Sequence, residues 1–230
     1  MKDTRIQKAL ADMGLCSRRQ AEQIILEGRV KLNGHPVKLG DKMDMHEDVL
    51  SVDGRTIRPP KKKEYKYYML HKPRGYITTS SDDRGRKTVM ELIKDIPERV
   101  YPVGRLDKDS EGLLLFTNDG ALANALTHPS HQVAKMYRVT VHPAATEEQV
   151  VALANGVILD DGTKTLPAII RVVAEDEDRT VMEMSIKEGK NRQIRRMCRA
   201  VGLDVARLSR KSVGAVKLGM LAPGKYRELK

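Results

Sequence analysis

The first sixty residues alternate apolar and polar positions in two helical stripes followed by a hairpin. Ile6, Ala9, Leu10 and Met13 recur at helical spacing, and Gly14 follows them as a stop. Ser17 with Gln20 forms a capping box for a second helix, whose inner face is Ala21, Ile24 and Ile25 and which Gly28 ends. Val30 to Val37 reads as two strands about Asn33-Gly34, the signal of a type I′ hairpin. The stretch Arg58-Pro59-Pro60-Lys61-Lys62-Lys63-Glu64 interrupts all periodicity, because two prolines and a charge run continue neither a helix nor a central strand. The pattern predicts a small domain over 1–58, a linker over 59–65 and a larger domain over 66–230.

In the larger domain strands and helices alternate without a repeated unit. Strands are expected at Tyr67–Leu70, Val139–Val141, Ala168–Val173 and Val181–Ile186, and helices at Val89–Lys94, Ala121–Leu126, Glu147–Asn155 and Arg192–Val201. Thr146 with Gln149 offers a second capping box. The irregular order predicts an α+β domain, with a mixed, mainly antiparallel sheet flanked by helices.

The last of those helices raises a question of charge. In GKNRQIRRMCRAVG, Ile194, Met197, Cys198 and Val201 share one face, while Arg192, Arg195, Arg196 and Arg199 line the other. Like charges at this spacing cost a few tenths of a kcal/mol per pair, about 0.2–0.5. No Asp or Glu within the helix offsets them, so an anionic group is expected against it. Charge along the whole chain points the same way. The formal net charge is +11, and residues 186–230 hold thirteen Lys and Arg against three Asp and Glu. A polyanionic partner is expected, with nucleic acid the commonest. Arg18 and Arg19 in the first turn of the second helix, where the dipole favours anions, fit a phosphate there equally well as plain solvent.

A membrane-surface helix would need bulky apolar residues, and the chain has no Trp and one Phe. No apolar run approaches the length of a membrane span. MKDTRIQKAL carries no signal-peptide core, so a cytoplasmic protein is expected. Cys16 and Cys198 are both expected on the apolar sides of helices as reduced core thiols, and no Cys/His cluster has zinc spacing. Aromatic residues make up 3% of the chain, too few for base-stacking platforms. Recognition of a folded nucleic acid by shape and backbone is therefore expected.

The most informative stretch is GRLDKDSEGLLLFTNDG, residues 104–120. It sets Arg105-Leu106-Asp107 in a loop ahead of a strongly apolar strand, where Asp107 is held by rigid structure yet reachable. A carboxylate so placed can be a nucleophile, a base, a metal ligand or a cap. The residues alone favour a turn-forming or capping Asp.

This stretch resembles the signature of the RsuA/RluB group of bacterial ribosomal RNA pseudouridine synthases. SRRQAEQIILEGRVKLNG is similar to the small RNA-binding domain that the group shares with a ribosomal small-subunit protein. YYMLHKPRGYITT, KMYRVTV and EGKNRQIRRM are similar to its other motifs, in order and at fitting separations, over nearly the whole chain. The third motif and Thr127–Ser130 resemble the large-subunit members more closely. The resemblance implies isomerisation of a uridine to pseudouridine without metal or organic cofactor, in large-subunit ribosomal RNA. It implies Asp107 as nucleophile on a base turned out of its stack, Arg105 holding that state, and Tyr137 against the uracil. It also implies Arg195 paired with Asp107; Ile194 is expected in the apolar lining near the uracil, with plain core packing as the other reading. Arg192, Arg196, Arg199, Arg207, Arg210 and Lys211 would then meet phosphates, joined by Arg18, Arg19, Arg29 and Lys31 of the small domain. A monomer is the default expectation. The alternative is a ribosome-assembly factor that binds RNA without catalysis.

Overall fold

The protein is described here by a computed structural model covering residues 3–58 and 64–229. The expected linker falls largely on 59–63, which lie outside the described residues. The chain divides into two compact units, residues 1–64 and 65–230.

In the first unit, strand β1 (Thr4–Arg5) leads directly into helix α1 (Ile6–Asp12), followed by helix α2 (Arg18–Leu26). Ser17 Oγ accepts from the Gln20 amide and the Gln20 side chain accepts from the Ser17 amide, so the capping box forms as the spacing predicts. Strands β2 (Val30–Leu32) and β3 (His35–Pro36) close the hairpin, with Asn33 and Gly34 both at positive φ as a type I′ turn requires. Strand β4 (Lys42–Met43) pairs with β1, and β5 (Leu50–Val52) and β6 (Arg55–Ile57) complete a sheet of order β3-β2-β5-β6. Ile6, Ala9, Leu10, Ala21, Ile25, Val30 and Leu50 fill the core. Cys16 departs from expectation. It sits half-buried in the turn between α1 and α2, because Gly14 has already ended α1.

The second unit is built on a nine-stranded sheet. Its elements begin with β7 (Tyr67–Lys72), a 3-10 turn at Val89–Ile93, β8 (Tyr101–Val103), β9 (Glu111–Thr117) and α3 (Gly120–Thr127). They continue through β10 (Lys135–His142), α4 (Glu147–Asn155), β11 (Ile169–Glu175), β12 (Thr180–Ile186) and α5 (Gln193–Ala200). Three strands end the chain, β13 (Asp204–Val213), β14 (Val216–Lys217) and β15 (Tyr226–Glu228). The strand order is β11-β12-β10-β13-β9-β7-β15, with β8 beside β9 and β14 beside β13. Only β13 and β9 run parallel among these pairings. The α+β architecture and the mainly antiparallel sheet are those read from the pattern.

Burial explains the apolar patterns. On β9, Leu114 and Phe116 face one core while Leu113 and Leu115 face another, so the strand reads as an unbroken apolar run. On β12 the buried residues are Thr180, Met182, Met184 and Ile186, a strict alternation for a strand covered on one face. Gly112 stands where β9 meets β13, at φ 108°. A Cβ there would overlap the Arg210 backbone, so only glycine allows the two strands to meet.

Candidate active site

Asp107 lies in the loop between β8 and β9, and that loop is held from beneath by a buried ammonium. The Lys72 side chain, fully buried at the end of β7, donates to the carbonyls of Ser110 at 2.7 Å, Asp107 at 2.9 Å and Pro73 at 3.1 Å. Burial pushes its pKa down from 10.5 to about 8, against the opposing pull of Asp107, Asp109 and Glu111. Thr78 clasps the other side, its hydroxyl donating to the Leu106 carbonyl at 2.7 Å and accepting from the Leu106 amide at 3.2 Å. Backbone position around Asp107 is therefore fixed from two directions, while a third of its side chain remains exposed.

Beside it opens a cleft of about 440 Å³. Its buried apolar lining is Val103, Leu106, Tyr137, Ile186, Ile194, Leu208 and Val213. Arg105, Asn191 and Arg192 line it from exposed positions. Tyr137 on β10 stands directly across from Arg210 on β13, so the two share a face of the sheet. The size and mixed lining suit a single planar heterocycle with polar edges. Ser110 also lines the cleft, and its buried Oγ has no hydrogen-bond partner among the described residues.

The helix with four arginines does meet anions, and they are carboxylates of the chain itself. Arg192 stands just ahead of α5 in a left-handed backbone conformation, φ 45°, which costs a non-glycine residue about 1 kcal/mol or more. From there its guanidinium donates twice to Asp109, at 3.0 and 3.2 Å, and lies 3.7 Å from Asp107. Arg195 does not form the expected pair with Asp107. Its Nε lies 3.3 Å from Asp109 Oδ2 without forming a hydrogen bond, and its terminal nitrogens donate to the carbonyls of Asp109 at 3.1 Å and Val205 at 3.0 Å. Burial pushes Asp109 up, yet the Arg192 bonds and the Arg195 charge outweigh it and hold the carboxyl below its usual range. Arg196 pairs with Asp160 and, at 2.7 Å, with Asp161, while Arg199 is exposed.

Several residues expected at phosphates are committed elsewhere. Arg210 is 3% exposed, and its guanidinium donates to the carbonyls of Leu113 at 2.7 Å and Arg105 at 3.3 Å. Those bonds tie the Asp107 loop to β13, so Arg210 is corrected from a phosphate ligand to a brace of the cleft wall. Arg207 pairs with Glu111 at 2.6 Å. Lys211 is half-buried. In the first unit Arg29 pairs with Asp53 and Glu27, while Arg18, Arg19 and Lys31 are exposed. Ile194 lies in the cleft lining and is also part of the buried core of the larger unit. Among the described residues, no group of three or more His, Cys, Asp or Glu is placed to hold a metal ion.

Lys72 and Asp109 escaped the reading of the sequence. The signal for Lys72 was a lone lysine closing the apolar strand YYMLHK just before a proline. Asp109 offered none, because its partners Arg192 and Arg195 lie more than eighty residues away.

A reachable carboxylate beside a cleft that Tyr137 lines is the mark of a candidate enzyme site, and comparison with known proteins says to which family it belongs. Residues 66–200 match the family described as RNA pseudouridylate synthase, and residues 4–49 match the S4 domain. The chain belongs to the RNA pseudouridylate synthase family. It is 44% identical over 231 residues to an uncharacterized RNA pseudouridine synthase of Aquifex aeolicus, covering 100% of this chain and 91% of that one. It is 42% identical over 228 residues to the ribosomal large subunit pseudouridine synthase B of Bacillus subtilis, covering 98% and 91%. A crystal structure of a pseudouridylate synthase superposes with a TM-score of 0.68 at 31% identity, covering 99% of this chain and 96% of that one.

Proposed function

We propose that this enzyme converts a uridine of large-subunit ribosomal RNA to pseudouridine, with Asp107 as the nucleophile. One observation carries the reading: Asp107 is backbone-fixed, partly exposed and set at a cleft of about 440 Å³, a size suited to one extruded base. The reaction breaks the N1–C1′ bond and forms C5–C1′; C5 gives up its proton to solvent and N1 takes one, so the composition of the nucleotide is unchanged. A carboxylate at the mouth and an apolar bed behind it are what such a rearrangement needs, because the detached uracil must turn without escaping. Tyr137 packs on the uracil face, and Ile194 contributes to the apolar lining. Arg105, exposed at the rim, fills the gap that the extruded base leaves in the RNA stem-loop.

The likeness to the Bacillus subtilis large-subunit enzyme supports ribosomal RNA as substrate. Exposed Arg18, Arg19 and Lys31 of the S4-like unit and Arg199 of α5 supply phosphate contacts. Arg192, Arg196 and Arg207 join them by exchanging a carboxylate for a phosphate. The enzyme works as a cytoplasmic monomer, the two units adding their affinities through the short connection.

Mapping pseudouridines in ribosomal RNA from cells with and without the gene tests the reading. One large-subunit uridine that loses its modification, and regains it with the wild-type gene, is the expected result. An unchanged large-subunit map overturns it.

A further inference from the structure

We infer that Lys135 is a specificity-determining residue of the cleft, its ammonium donating to O4 of the extruded uracil and so selecting uridine over cytidine. This rests on the proposed reading of the cleft as the seat of the target base. The starting point is a cation without a counter-charge. Lys135 opens β10, is half-buried and lines the cleft. Its neighbours across the sheet, Ile186 on β12 and Val213 on β13, line the same cleft, so Lys135 belongs to the floor rather than the rim. Of its three donors one is used, on the Val133 carbonyl at 3.2 Å. Among the described residues it has no carboxylate partner. Burial, and after it the charge of Arg210, pull its pKa below the usual 10.5. An ammonium held in this way costs stability unless something in the cleft accepts its hydrogen bonds.

The order of residues along the cleft says which atom it meets. The Asp107 loop leads into β9, whose first residues lie beside Ser209 and Arg210 of β13. Arg210 stands across from Tyr137, and Val213, further along β13, stands across from Lys135. Asp107 pulls on Lys72, Arg192 and Arg195 but not on Lys135. A uracil whose glycosidic bond lies at Asp107 and whose face lies on Tyr137 therefore directs its far edge toward Lys135. C4 is opposite N1 across the ring, so the atom at that edge is O4. Two residues of a strand span about 6.7 Å, the scale of the ring with its oxygens. An ammonium donates and cannot accept. Uracil offers O4 as an acceptor where cytosine offers an amino group, so cytosine leaves the cation unpaired. The turn of the detached ring about the N3–C6 line exchanges N1 with C5 and O2 with O4. Lys135 thus finds a carbonyl oxygen before the turn and another after it, and holds the ring at both ends of the rearrangement.

The test compares two in vitro transcripts of bacterial large-subunit ribosomal RNA. One carries C5-tritiated uridine, whose label is released as pseudouridine forms, and the other has cytidine at the modified position. Single-turnover tritium release gives the rate constant and half-saturation for uridine, and inhibition by the second transcript gives the affinity for cytidine. Both are measured on the full chain as wild type, Lys135→Met and Lys135→Arg, with thermal unfolding alongside. Wild type is expected to prefer uridine about tenfold or more, the effect of one charge-assisted hydrogen bond. Lys135→Met is expected to lower the rate constant about tenfold and to bring the two affinities within about twofold of each other. It is expected to melt no lower than wild type, because methionine needs no acceptor. Lys135→Arg keeps a donor and is expected to retain most of the preference. A wild type without preference overturns the inference. So does a Lys135→Met that keeps the wild-type preference, since a merely structural residue would weaken both affinities alike. A log–log salt slope shallower by about one unit in Lys135→Met also overturns it, marking a phosphate contact instead. A wild-type enzyme that releases no tritium from the uridine transcript overturns the proposed function instead.

Discussion

Replacing Lys72 with methionine measures how firmly the Asp107 loop is attached to the sheet. Methionine keeps the length and much of the volume of the side chain and removes its three donors. The carbonyls of Pro73, Asp107 and Ser110, now served at 3.1, 2.9 and 2.7 Å, lose their partner. Each buried carbonyl left bare costs about 2 kcal/mol, for a gross loss near ~6 kcal/mol. Against this, burial has lowered the ammonium from 10.5 to about 8. Keeping it charged at neutral pH therefore costs roughly 3 kcal/mol, which methionine avoids. The balance is a loss of about 3 kcal/mol, or a fall of about 6–12 °C in the melting temperature of a unit this size. Urea and thermal unfolding of the full chain, followed by circular dichroism at neutral pH, reads it directly.

The pH dependence carries a sign. Between pH 8 and 10.5 the unfolded chain holds the Lys72 proton and the folded chain has released it. Wild-type stability relative to Lys72→Met therefore rises as pH climbs through that window. A variant within about 0.5 kcal/mol of wild type at neutral pH, with a gap that stays constant up to pH 10, would refute the reasoning.

Three further outcomes follow from the geometry. Gly112→Ala places a methyl against the Arg210 backbone at a positive φ, so the larger unit is expected to lose at least about 3 kcal/mol in urea unfolding while the S4-like unit is unaffected. Replacing Asp160 and Asp161 together with Asn releases Arg196, and the double variant is expected to bind RNA more tightly at low salt, with a log–log salt slope steeper by about one unit. The Cys198 thiol is pushed up to about 12 by burial, so a thiol reagent at pH 8 is expected to label Cys16 in the native protein and to reach Cys198 only on unfolding.

What was legible in the chain was mostly local. The capping boxes at Ser17 and Thr146 fixed the starts of α2 and α4 because both partners lie within one turn. The helix expected at Val89–Lys94 instead forms as a 3-10 turn, a segment too short for α-helical propensity to decide. Short strands such as β8 and β15 have no apolar alternation of their own and exist because β9 and β7 offer them an edge. The arginine face of α5 announced that an anion lay against it, but not which one. That depended on a fold that brings Asp109, Asp160 and Asp161 to the helix from distant segments. Lys72 and Arg210 are the sharper lesson. Both look like surface cations in the sequence, and both are buried donors to backbone carbonyls that shape the site.

Asp107→Asn tests the central claim most directly, because the amide keeps the shape of the side chain and removes its charge. Tritium release from C5-labelled large-subunit ribosomal RNA and RNA affinity are measured side by side on the full chain. The account predicts no detectable pseudouridine and a dissociation constant within about threefold of wild type. Pseudouridine formed at the wild-type rate by this variant would contradict it.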